Sequence, residues 1–130
     1  MFRLFTSDTY GSESTLYISA KPGTEYKIGQ PLVTEGGVAD LAGGADAVQY
    51  ICEQNVTAPA DMDSLVLVHR VLPQYIYETV FTEDASAISE GDKVTIAADG
   101  SGVTATTGGT AEVVKIIDSA AAGKVRVRLA

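Results

Sequence analysis

The hydrophobic pattern is sharpest near the C-terminus, where Val125, Val127 and Leu129 alternate with Lys124, Arg126 and Arg128. Successive side chains of a strand point to opposite faces, so this two-residue period predicts a half-exposed strand over residues 124–129. A longer β-rich stretch runs over residues 64–81. It opens with Leu65, Leu67, His69 and Val71 at one parity and Val66, Val68, Arg70 and Leu72 at the other. Both faces are largely apolar at the start, which predicts a strand with cover on each side. Pro73 cannot donate to a ladder, so the stretch divides into strands over 65–72 and 75–81 joined by a bend. Shorter strands are expected over 16–20, stopped by Lys21-Pro22-Gly23, and over 26–28, 31–34, 48–53, 93–97, 103–106 and 112–117. Acidic residues behind Thr82 predict one helical turn over 83–87.

Glycines punctuate these strands in an order that occurs twice. Gly29, an apolar run, Gly36-Gly37, a return and Gly43-Gly44 lead into residues 48–53. Gly91, an apolar run, Gly100-Ser101-Gly102, a return and Gly108-Gly109 lead into residues 111–117. Glycine adopts the positive φ that tight hairpins need, so two similar hairpins are expected, related by a pseudo-repeat. The fold class that follows is all-β: a small β-barrel or β-sandwich of short strands and glycine-rich hairpins, with an extended N-terminal arm. The arm covers residues 1–14, with Phe2, Leu4 and Phe5 as an apolar tip on a polar tether, and is expected to be mobile. A single β-domain covers residues 15–130.

At 130 residues the chain suits one domain with one modest core. Its 17 Asp and Glu against 9 Lys and Arg give a formal net charge of −8. That balance opposes phosphate backbones and anionic lipid, so no nucleic acid and no membrane partner is expected. No apolar run approaches the ~20 residues that cross a bilayer, and the N-terminal residues lack the apolar stretch of a secretory signal, so synthesis in the cytoplasm is expected. Asn55-Val56-Thr57 matches a glycosylation acceptor by chance on that view. Cys52 is the single cysteine, which excludes an intrachain disulfide; between Ile51 and Glu53 on a predicted strand it reads as a buried, inert thiol.

Residues with chemical potential are few. His69 is the single histidine, and no nucleophile-elbow motif accompanies it, so it reads as a half-buried strand residue rather than a general base. Asp61 with Asp63, and Asp99-Gly100-Ser101, offer oxygens but no twelve-residue calcium loop. Gly100-Ser101-Gly102 lacks the third glycine and the following helix of a phosphate-binding loop. Tyr50, Tyr75 and Tyr77 fall on predicted strands, where packing is the expected role. No catalytic residue, metal or cofactor is therefore expected.

The order of segments carries a resemblance. Ile76-Tyr77-Glu78-Thr79, an acidic spacer, residues 88–96 (Ile-Ser-Glu-Gly-Asp-Lys-Val-Thr-Ile), residues 99–104 (Asp-Gly-Ser-Gly-Val-Thr) and the closing Val125-Arg126-Val127-Arg128-Leu129 together resemble head decoration, or cement, proteins of tailed bacteriophages. The similarity covers about residues 27–130 and consists of turn patterns. It implies a structural protein on the exterior of a virion capsid that stabilises the shell. The implied partners are the major capsid protein and further copies of this chain, with a trimer favoured, and there are no catalytic residues to carry over. On that reading Phe2, Leu4 and Phe5 contact the shell or a neighbouring subunit, as an arm can by adding a strand to a sheet edge. The residues taken alone leave two alternatives open. One is a non-catalytic β-barrel binding module for a carbohydrate or other small ligand, with a tyrosine-lined pocket; the other is a small enzyme with unseen partners for His69 or Cys52.

Overall fold

The computed structural model describes residues 1–5 and 15–130. These residues form thirteen strands and no helix: β1 (Arg3–Leu4), β2 (Thr15–Ser19), β3 (Glu25–Tyr26), β4 (Pro31–Glu35), β5 (Val38–Leu41), β6 (Tyr50–Cys52), β7 (Val56–Thr57), β8 (Leu65–Arg70), β9 (Tyr77–Val80), β10 (Lys93–Ile96), β11 (Val103–Thr107), β12 (Ala111–Ile116) and β13 (Lys124–Arg128). The chain is all-β, and all strand pairs in its ladders are antiparallel. One sheet has the order β2-β8-β6-β4-β5 and the other β1-β9-β13-β12-β10-β11, while β3 and β7 form a separate ribbon.

Each sheet curls until its ends touch at one parallel bridge, Ala20 to Ala39 in the first and Phe81 to Val103 in the second. Neither closes through a continuous ladder, so the architecture is sandwich-like rather than a closed barrel. With β1 set aside, the two sheets trace one path: β2, β4, β5, β6 and β8 occupy the same order as β9, β10, β11, β12 and β13. The equivalent strands β4 and β10 each follow a glycine of positive φ, Gly29 at 92° and Gly91 at 97°. The glycine repeat in the sequence thus corresponds to a repeated topology. The turns themselves differ. Gly36 and Gly37, both with positive φ, make the tight β4–β5 turn. A longer connection joins β10 to β11, and their register shifts between Val94 and Ile96.

Alternation along the strands fills two cores. Leu32, Cys52, Val66 and Val68 line the first with Tyr26, whose hydroxyl donates to the Ala39 carbonyl at 2.7 Å and accepts from the Lys21 amide at 2.8 Å. Tyr77, Phe81, Val94, Val103, Val113, Val125 and Val127 fill the second. Ile51 belongs to β6 but packs into the second core, from the opposite face of its strand to Tyr50 and Cys52. The first half therefore contributes its outer face to the second half's core, and burial of that apolar surface joins them.

Two expectations need correction. Residues 83–87 form no helical turn: Ala85 is fully buried, its amide is held by the Ser119 carbonyl at 2.8 Å, and its carbonyl accepts from Ile88 in a tight turn. Tertiary bonding of that backbone outweighs the local acidic signal. Nor are residues 1–5 a free arm. Arg3 and Leu4 pair with Glu78 and Tyr77 at the edge of the second sheet. Phe2 is only 3% exposed, Leu4 is partly buried against the second core, and the amides of Phe2 and Phe5 bond to the carbonyls of Gly29 and Ile76 at 2.9 and 2.7 Å. An apolar phenyl ring with a core within reach gains more from burial than from water. The rest of the expected arm, residues 6–14, lies outside the described residues.

Candidate functional site

The three arm residues are brought together at one edge but in different roles. Phe2 is a core residue, Leu4 faces the same core, and Phe5 lies 41% exposed with the Arg126 guanidinium 3.8 Å from its ring centroid. That distance suits a cation–π contact. Among the three, Phe5 is the one with substantial surface to offer a partner.

His69 is more enclosed than a half-buried strand residue, at 2% exposed. Its Nδ1 lies 2.5 Å from Glu53 Oε1 and its Nε2 2.8 Å from the Tyr77 hydroxyl. The two contacts use both ring nitrogens, one towards the Glu53 carboxylate oxygen and one towards the Tyr77 hydroxyl. The ring also lies nearly parallel to Tyr77, 5° apart with centroids at 5.8 Å, and edge-on to Tyr75. Both ring nitrogens are engaged within the protein. Cys52 is no partner for it. Across β6 and β8, Ile51 stands opposite His69 whereas Cys52 stands opposite Val68, so thiol and imidazole project from opposite faces of the sheet. Burial, the dominant influence, pushes the Cys52 thiol above its ordinary pKa, away from the thiolate that reactivity requires. The cluster works as a tie: Glu53 and His69 come from the first half and Tyr77 from the second.

A cleft of about 440 Å³ opens beside this tie, between the β1 segment on one side and Ile28, Ile51, Glu53 and His69 on the other. Tyr50, Tyr75 and Tyr77 do not wall it. Tyr50 instead packs in the first core with the Arg70 guanidinium 5.1 Å from its ring centroid. Asp99 closes a local turn by accepting from the Ser101 hydroxyl and amide at 2.6 and 3.0 Å, and these bonds hold its carboxyl below the ordinary value. Asp61 and Asp63 are exposed. Among the described residues, no three His, Cys, Asp or Glu side chains gather as a metal-binding group, and no helix is long and apolar enough to cross a membrane.

The most distinctive surface is the outer face of the second sheet. Arg3, Glu78, Arg126 and Lys115 form one cross-strand row over β1, β9, β13 and β12, and Arg128, Glu112 and Lys93 form a second over β13, β12 and β10. Lys124, on the same face of β13, stands beside Val80. Six of the 9 basic residues in the chain therefore project here, with only Glu78 and Glu112 of the 17 acidic residues at outward strand positions between them. Glu90 also reaches Lys115 at 3.9 Å; counting it, +3 remains on this face and, from a net charge of −8, a formal −11 on the remainder. Glu78 is the hub, with Arg3 at 2.6 Å, Arg126 at 3.5 Å and Lys124 at 3.9 Å. Partial burial is the largest single influence on its carboxyl and pushes it up. The hydrogen bonds of Arg3 and Arg126 and the charges of Arg3 and Lys124 together outweigh that, holding it below its ordinary value. Glu112 accepts from Arg128 at 2.9 Å.

Sequence reasoning identified Lys124, Arg126 and Arg128 as outward residues but not the rows they join, because Arg3 and Glu78 lie 75 positions apart. Glu53 and Tyr77 as partners of His69 were missed for the same reason, although the matching parity of His69 and Ile51 on paired strands is a signal once the pairing is known. Compared with known proteins, the chain matches no protein-family model and no curated protein sequence.

Proposed function

We propose that this protein is a structural component of a phage virion, a decoration protein that binds the exterior of a tailed-phage capsid and stabilises the shell. One observation carries the proposal: the separate segments that resemble cement proteins assemble into a single sheet. Residues 76–79 and 125–129 meet as neighbours β9 and β13, while 88–96 and 99–104 supply β10 and the start of β11 in that same sheet. Segments scattered over about fifty residues thus fall in one sheet, as the pairs β9–β13 and β10–β11 on either side of β12, and the outer side of that sheet carries the charge rows. The role is one of contact rather than catalysis, in keeping with a histidine whose nitrogens are both engaged and a thiol on the opposite face. Its partner is the major capsid protein, and copies of the chain associate as a trimer on the shell.

Sedimentation tests this directly. Full-length protein mixed with empty tailed-phage shells from the same host should travel with the shells in saturable amount and raise the temperature at which they rupture. Protein that stays at the top of the gradient with every such shell, under conditions where it is folded, would remove the decoration role.

A further inference from the structure

The outer face of the second sheet carries an arrangement that stability alone does not favour. Lys124, Arg126 and Arg128 stand on one side of β13 at a strand's two-residue spacing, about 6.6 Å. Arg126 also stands directly opposite Lys115 on β12. Like charges in that position destabilise a sheet, and Glu78 and Glu112 offset only part of the excess. A local rule broken with only partial internal compensation, from Glu78, Glu112 and, 3.9 Å from Lys115, Glu90, marks a surface used elsewhere. The repeated topology points the same way. In the first half the equivalent outer face is covered around Ile51 and His69, which pack against the second half, although Tyr17 and Leu65 on it stay exposed. In the second half that face is exposed: Arg3, Lys115 and Lys124 have side chains 74%, 60% and 65% accessible.

We propose that the outer face of β9, β13, β12 and β10 docks onto an acidic protein surface whose carboxylates repeat at strand-like spacing. This rests on the decoration role above and names the chemistry of the shell surface it fits. Charge complementarity selects the occupant. Glu78 and Glu112 interrupt the rows, so discrete carboxylates can seat between them, whereas the continuous phosphate line of a nucleic acid would cross both. The −11 on the rest of the molecule also repels an extended polyanion while leaving a locally acidic protein patch free to approach.

The test uses full-length protein and a triple variant, Lys93→Gln with Lys115→Gln and Lys124→Gln, whose three side chains are exposed and whose loss leaves the core intact. Lys21→Gln with Lys27→Gln, away from this face, is the control. In shell sedimentation the triple variant should bind about tenfold more weakly, as three exposed ion pairs together allow, and the control should bind as the parent does. Equal binding of the triple variant to shells would overturn the docking face and leave the decoration role standing. Fluorescence anisotropy with a labelled peptide alternating Glu and Thr, and with single-stranded DNA of similar length, separates the two proposals at low and physiological salt. Peptide binding that is lost in the triple variant supports the face even if no shell is bound, in which case the decoration role alone fails. Tighter binding to the DNA than to the peptide would overturn the acidic-protein partner in favour of a polyanion. No binding to either probe, together with unchanged shell binding by the variant, would overturn the face altogether.

Discussion

Replacing Phe2 with alanine separates a strand that belongs to the domain from an arm that merely trails it. Phe2 is 3% exposed and sits in the second core with Tyr77, while its amide bonds to Gly29. Truncating an enclosed phenylalanine costs about 3–5 kcal/mol when the cavity persists. The strand has a way to limit that loss. β1 pairs through only two residues, and holding the five N-terminal backbones in place costs about 1–2 kcal/mol each, so a truncated β1 detaches instead of spanning an empty cavity. The expected loss for Phe2→Ala is therefore at the low end, about 3 kcal/mol. At about 3–4 °C per kcal/mol for this chain length, the midpoint should fall by about 10 °C. Phe5→Ala removes a ring that is 41% exposed and one contact with Arg126, so about 0.5–1 kcal/mol is at stake. Thermal melts of both variants, with hydrogen exchange at the Phe2 and Phe5 amides of the parent, provide the measurements. A Phe2→Ala midpoint within about 2 °C of the parent, alongside free-peptide exchange at both amides, would refute the docked strand.

Three further outcomes follow from the geometry. The Glu78 carboxyl titrates below its ordinary 4.5 in the folded protein, so its stabilisation is complete well above that pH and disappears as pH falls through 4.5 and below. Glu78→Gln should consequently be less stable than the parent at pH 7 and converge with it in acid; parallel acid limbs in melting experiments would contradict the assignment. Cys52, fully buried and with its thiol pKa raised, should react with Ellman's reagent at pH 8 only as fast as the protein unfolds, and rapid stoichiometric labelling of native protein would argue against this burial. Gly109→Ala would place a methyl group 2.1 Å from the Val94 carbonyl oxygen, costing about 2 kcal/mol or more, whereas Gly36→Ala meets open space and costs about 1 kcal/mol from its positive φ. Urea denaturation giving the reverse order would overturn the contact.

Much of the fold is written locally. The alternation of Lys124, Arg126 and Arg128 with Val125, Val127 and Leu129 defines β13 without reference to any partner, because a strand's two faces meet two different solvents. The doubled glycine order marks the repeated path because turn chemistry resides in the turn residues themselves, as Gly29 and Gly91 show by their matching φ. What the sequence could not settle depends on which strands lie side by side. Phe2 and Leu4 read as the tip of a tether until β9 offers an edge, since a two-residue strand has almost no signal of its own. The acidic run at 83–87 favoured a helical turn until Ser119 claimed the Ala85 amide. His69 becomes a tie only because Tyr77 reaches it from the other half, and the basic face exists only because β1, β9, β13, β12 and β10 are neighbours. Periodicity and turn preference act between adjacent residues and so are legible in the chain. Edge pairing, the His69 tie and the gathering of charge act between residues far apart in sequence, and only the tertiary structure brings those together.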